Sequence, residues 1–98
     1  MARYLDVDPR TLYVNTQRAQ GADPWKLQLQ IARFGRAAAG MPEIEVWVDS
    51  DGRLVIANGV TRATRIAKLA PGTLVRVMVT QTLNYPYPLR ITIADVLP

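Results

Sequence analysis

Residues 43–48 alternate cleanly, with Ile44, Val46 and Val48 to one side and Glu43, Glu45 and Trp47 to the other, the period of a half-buried strand. Asp51-Gly52 supplies a hairpin turn, residues 53–57 return as the partner strand, and Asn58-Gly59 breaks it. Residues 60–70 place Val60, Ala63, Ile66, Ala67 and Ala70 on one side of a helix that Pro71-Gly72 stops. Residues 74–80 and 89–93 complete the predicted sheet, the latter setting Leu89, Ile91 and Ile93 against Arg90 and Thr92.

Upstream, Leu12-Tyr13-Val14 predicts a short strand closed by Asn15. Asp23-Pro24 then opens a helix, with Asp as N-cap and Pro at the first helical position, expected to run to about residue 39 and to end at Gly40, Met41 and Pro42. Leu27, Ile31, Phe34 and Ala38 form its core stripe. Trp25, Leu29 and Ala32 form a second stripe on nearly the opposite side, with Lys26, Arg33 and Arg36 between. Two covers suit that second stripe: the loop at residues 83–88, stiffened by Pro86 and Pro88, or a partner, either another protein or a second copy of the chain. The expected architecture is a small single α+β domain over residues 1–98, a mixed sheet with two main helices.

Composition narrows the chemistry. Ninety-eight residues provide for one core, and no apolar run approaches the roughly 20 residues that a membrane span needs, so no membrane partner is expected. The first ten residues hold no continuous apolar segment of the secretory kind, which makes the cytoplasm the default setting. Cysteine and histidine are absent, and with them disulfides, thiol nucleophiles, imidazole bases and Cys/His zinc sites. Carboxylates, hydroxyls, Lys and Arg remain; any metal would rest on oxygen ligands such as Asp6, Asp8, Asp49 or Asp51, which form no recognisable cation loop. Twelve Lys and Arg against eight Asp and Glu leave a net charge of +4, with a local concentration at Arg62, Arg65 and Lys68. That balance suits nucleic acid or nucleotide phosphate as partner, and equally a plain solvated basic surface.

The start of the second helix carries the sharpest chemical signal. Thr61, Thr64, Arg65 and Lys68 are expected on its polar side, and Arg62 at the border of its apolar side. A helix N-terminus exposes unpaired N–H groups and a positive dipole end, which ordinarily favour an acidic residue. This helix instead opens with Arg62 and contains no acid from residue 60 to residue 69. An external anion would complete the arrangement: Gly59 admits close backbone approach, Thr61 and Thr64 offer hydroxyl donors, and Arg62 offers a bidentate grip. The alternative is an ordinary basic surface helix in which Gly59 serves only the turn.

The stretch Asp51-Gly52-Arg53-Leu54-Val55-Ile56-Ala57-Asn58-Gly59-Val60-Thr61-Arg62-Ala63 resembles the ParB/sulfiredoxin-like superfamily, whose signature is an acidic-Gly hairpin, an apolar strand and Gly-x-x-Arg opening a helix. Asn15-Thr16-Gln17-Arg18 is similar to the Asn-Pro-x-Gln-Pro-Arg box of chromosome-partitioning ParB domains, and in all the similarity covers roughly residues 12–80. The resemblance implies a ParB N-terminal-like fold and a phosphate site. Partition proteins carry Gly-Glu-Arg-Arg-x-Arg; here Val60, Thr61 and Thr64 stand in place of the Glu and two of the Arg residues, and Arg62 is the matched one. Sulfiredoxins carry Gly-Cys-His-Arg, and Val60-Thr61 removes their nucleophile. What the resemblance implies is therefore phosphate binding without turnover.

Three functions follow as expectations. The first is a module binding nucleotide or nucleic-acid phosphate on Gly59, Thr61, Arg62, Thr64 and Arg65, with Gln17 and Arg18 closing from the opposite loop; its compatible cofactor is a nucleotide with Mg. The second is a ParB-like nuclease, which would need a carboxylate near Arg62, the candidates being Glu43, Glu45 and Asp49. The third is a protein-interaction or assembly role through Trp25, Leu29 and Trp47.

Overall fold

The structure, a computed structural model, describes residues 3–98. Four strands, β1 (Arg3–Val7), β2 (Ile44–Val48), β3 (Leu54–Asn58) and β4 (Val75–Thr82), and two helices, α1 (Pro24–Phe34) and α2 (Val60–Leu69), make the framework. The sheet order is β1-β4-β2-β3. β4 runs antiparallel to β1 and parallel to β2, and β2 forms the expected antiparallel hairpin with β3. The α+β class read from the pattern is therefore the observed one. No helix among the described residues is long and apolar enough to cross a membrane.

Alternation along the strands divides two apolar clusters between the faces of the sheet. Ile44, Val46, Ile56 and Val77 face α2, whose Ala63, Ile66 and Ala67 complete a fully buried core. Neighbouring positions carry the other face: Val55, next to Ile56, packs with Leu83 and Tyr87, and Trp47 and Tyr13 lie against them. Truncating Ile66, which has no exposed surface, to Ala would cost about 2–5 kcal/mol.

Two expected strands change form. Leu12-Tyr13-Val14 lies along the outer edge of β3, where Tyr13 donates its N–H to Leu54 O at 2.9 Å and accepts from Ile56 N at 2.8 Å. The 89–93 strand contracts to a bridge between Tyr13 and Thr92, held by Val14 N to Ile91 O and Ile93 N to Leu12 O, each at 2.8 Å. β1 was not expected at all: its exposed Arg3, Tyr4 and Asp6 and part-buried Leu5 and Val7 give too short an alternation to stand out.

α1 also ends earlier than its apolar spacing predicts. Gly35 takes a positive φ of 55° and returns its N–H to Ile31 O at 2.8 Å, so the helix stops at Phe34 rather than near residue 39. Of the expected stripe, Leu27 is buried while Phe34 is left exposed. The loop at residues 83–88 does not cover the second stripe; it folds instead onto the sheet face that carries Val55 and Trp47. Trp25 and Leu29 consequently stand 69% and 53% exposed.

Candidate functional site

Both helices begin beside one cleft of about 350 Å³. Asp23, Lys26, Leu29 and Gln30 line it from the α1 side, Asn58, Gly59, Val60, Thr61 and Arg62 from the α2 side, and Arg18 from the preceding 3-10 turn. That volume lies at the small end of ligand pockets, about 300–1,000 Å³.

The two helix starts are treated differently. Asp23 caps α1, its Oδ1 accepting from Trp25 N at 2.9 Å and from Lys26 N at 3.1 Å. α2 has Gly59 at its cap, φ 116°, and among the described residues no side chain accepts from its first N–H groups. One positive helix end thus meets a carboxylate from within the chain, and the other opens to the cleft with Arg62 in its first turn and Lys26 and Arg18 across from it.

Arg62 lies directly beneath Gly59. A Cβ at position 59 would sit 3.0 Å from Arg62 Nη2 and 3.2 Å from Ile44 Cγ1, so the glycine is required both by its backbone angle and by the guanidinium below it. Arg62 Nη2 donates to Glu43 O at 3.3 Å, while Arg62 Nε is buried without a hydrogen-bond partner among the described residues. The side chain is held in place yet keeps donor capacity.

Four of the expected site residues, Gly59, Thr61, Arg62 and Arg18, come together in this cleft. Gln17 does not; it is exposed on an adjoining groove with Thr16 and Arg18, its backbone N–H held by Asn15 Oδ1 at 2.8 Å. Thr64 and Arg65 were expected on the polar side of the helix, and the structure corrects both. Thr64 is fully buried and donates its hydroxyl to Val60 O at 2.7 Å. Arg65 is 1% exposed and turns toward the end of α1, its Nη1 donating to Gly35 O and Ala37 O at 2.8 Å each. The chain after α1 covers that side of α2, which a wheel drawn for one isolated helix does not see. Lys26, Gln30 and Asp23 are site members outside the quoted stretch, and Asn58 lies within it without having been assigned a role; the N-cap signal at Asp23-Pro24 was the available clue that a second helix start lay nearby.

Trp47 also moves out of the proposed interaction surface. It is half-buried against Tyr87, ring centroids 6.1 Å apart, on the sheet face away from α1. Asp49, a candidate carboxylate for metal or base chemistry, is fully engaged within the protein. Its Oδ1 accepts from Asp51 N at 3.0 Å and Arg53 N at 2.8 Å; its Oδ2 accepts from Tyr87 N at 2.9 Å and pairs with Arg53 Nη2 at 2.8 Å. Burial alone would raise its pKa, but the N–H groups of Tyr87 and Arg53, the Arg53 charge and the Asp51 N–H together hold the carboxyl below its ordinary value. Glu45 Oε2 accepts from Asn58 Nδ2 at 3.0 Å, and no group of three or more Asp or Glu side chains converges among the described residues.

Comparison of the chain with protein-family models, with curated proteins and with solved structures finds no match.

Proposed function

We propose that the chain is a phosphate-binding module, of the ParB/sulfiredoxin-like kind that its hairpin, strand and Gly59-x-x-Arg62 order suggests, taking a nucleotide or nucleic-acid phosphate at the start of α2 without turning it over. The observation that carries this reading is the unequal treatment of two helix starts on one cleft: Asp23 caps α1, while α2 opens uncapped beside Arg62, Lys26 and Arg18. A phosphate seated there would receive N–H donors from Val60 and Thr61 and positive charge from three sides. Asn58, fixed by Glu45, and Gly59, lacking a Cβ, keep the approach to the backbone open.

A thermal-shift screen against pyrophosphate, nucleoside triphosphates with and without Mg, and short single- and double-stranded DNA tests the proposal. A ligand that binds only the folded state raises the melting temperature. The expected result is stabilisation by at least one of them, lost in Arg62→Ala; equal stabilisation of that variant would refute the site. If the ligand is nucleic acid, affinity must also fall steeply with salt.

A second reading rests on Trp25 and Leu29, adjacent on α1 and more than half exposed. It makes α1 a contact surface for a protein partner or a second copy of the chain. Mass measured against concentration checks the second-copy case, in which association present in the native chain disappears in Trp25→Ala.

A further inference from the structure

Beside the cleft, and sharing Arg62 and Gln30 with it, lies a second cavity of about 210 Å³, lined by two guanidinium groups, Arg62 and Arg65, and by the apolar side chains of Phe34 and Met41. Ala39 and Gly40, both exposed, border its opening.

Arg65 is a buried charge whose partners are all neutral. Its Nη1 serves the carbonyls of Gly35 and Ala37, its Nε reaches Gln30 Oε1 at 3.4 Å, and its Nη2 has only the Met41 thioether sulfur at 3.4 Å. The Phe34 ring lies 5.3 Å from its central carbon. No carboxylate pairs with it among the described residues. The carbonyls follow the C-terminus of α1, whose dipole supplies about half a unit of negative charge, so part of the guanidinium charge is offset and part is not. Buried charges are ordinarily paired, because desolvation costs several kcal/mol per ion. Beside it Arg62 lines the same cavity, and its buried Nε has no acceptor among the described residues. A thioether is a weak acceptor, so the two guanidinium groups that line this cavity each keep an under-used donor, Nη2 on Arg65 and the buried Nε on Arg62.

We infer that this cavity is a binding site for a small apolar carboxylate, its charged head held by Arg62 and Arg65 and its body seated against Phe34 and Met41. A carboxylate oxygen replaces the Met41 sulfur as acceptor at Arg65 Nη2 and supplies the missing negative charge. An apolar cavity of about 150 Å³ accommodates a benzene ring, so this volume suits an aromatic ring carrying one short acidic arm. The inference does not rest on phosphate binding at the start of α2: the two sites share Arg62 and Gln30, but Arg65, Phe34 and Met41 belong to this one alone.

Phenylacetate is the probe, with phenylacetamide as its neutral counterpart of nearly equal shape. In an amide-detected NMR titration, phenylacetate should saturate and shift the signals of residues 34–41, and phenylacetamide should bind about tenfold more weakly or worse, the loss expected when a charged hydrogen-bond partner becomes neutral. Arg62→Gln, at a part-exposed position, should reduce phenylacetate affinity by a similar factor, and Ala39→Phe should reduce it by narrowing the opening. Equal affinity for acid and amide would overturn the inference, as would unchanged affinity in Arg62→Gln, or no response to phenylacetate at millimolar concentration. Shifts confined to Val60 and Thr61 would place the carboxylate in the helix-start cleft and likewise overturn it.

Discussion

Two buried charges in this small domain are handled in opposite ways. Asp49, at the end of β2, is enclosed by partners that answer both its charge and its lone pairs: the Arg53 guanidinium, and the backbone N–H groups of Asp51, Arg53 and Tyr87. Arg65, in α2, has carbonyls, an amide oxygen and a thioether around it, and no carboxylate among the described residues. The first arrangement is closed and ties distant segments together. Tyr87 alone gives its N–H to Asp49, accepts Arg53 Nη2 at its carbonyl at 3.0 Å, and accepts Thr16 N at its hydroxyl at 3.0 Å. The second is buried but met by weaker acceptors, and it lines a cavity. A satisfied buried charge specifies structure; an under-answered one beside a cavity has capacity left for a ligand.

Removing each charge should therefore have unequal consequences. Asp49→Ala leaves the Arg53 guanidinium only the more distant carboxylate of exposed Asp51, at 3.6 Å, and strips three buried or half-buried N–H groups of their acceptor, so a loss of about 3 kcal/mol in urea unfolding is expected. The same comparison gives a pH dependence. The folded-state pKa of Asp49 lies below its ordinary value, so its contribution is fully present above the unfolded-state pKa, about 3.9, and is lost as pH falls through the folded one. Stability measured from pH 5 downward should decline in the native chain, and the Asp49→Asn variant should lack that share of the decline. Arg65→Met, by contrast, abandons no opposite charge. Its cost is the carbonyls of Gly35 and Ala37 left short of donors, about 1–3 kcal/mol, with phenylacetate binding abolished.

The helix starts offer a milder version of the same contrast. Gly59→Ala forces an L side chain into φ 116° and presses its Cβ on Arg62, so a loss of about 1–3 kcal/mol is expected together with weakened phosphate binding. Trp25→Ala, at the exposed face of the capped helix, should change stability by less than about 0.5 kcal/mol; a larger loss would mean that this face is covered in solution.

What the sequence made legible follows the range of each interaction. The hairpin of β2 and β3, the start of α1 at Asp23-Pro24 and the start of α2 after Gly59 are written within a few residues, and each stands where local chemistry put it. The early end of α1 was also locally encoded, in Gly35, but the apolar spacing through Ala38 outweighed a single glycine. The burial of Arg65 was not readable from α2, since it depends on the chain at residues 35–41 crossing that side of the helix. Asp49 announces its bonds to Asp51 and Arg53 N–H groups by position before a turn, whereas its bond to Tyr87, 38 residues away, has no local signature. The candidate site divides along the same line: Gly59, Thr61 and Arg62 are a short motif and Arg18 was expected opposite them, while Lys26, Gln30 and Asp23 reach the cleft only through the packing of α1 beside α2.

The most direct test of the phosphate-site reading is an amide-detected NMR titration of the native chain with pyrophosphate. The account predicts saturable shifts of the Val60, Thr61 and Arg62 N–H signals, with the Trp25 and Lys26 N–H groups, already bonded to Asp23, moving far less. Shifts that appear equally at both helix starts, or nowhere near Gly59, would contradict it.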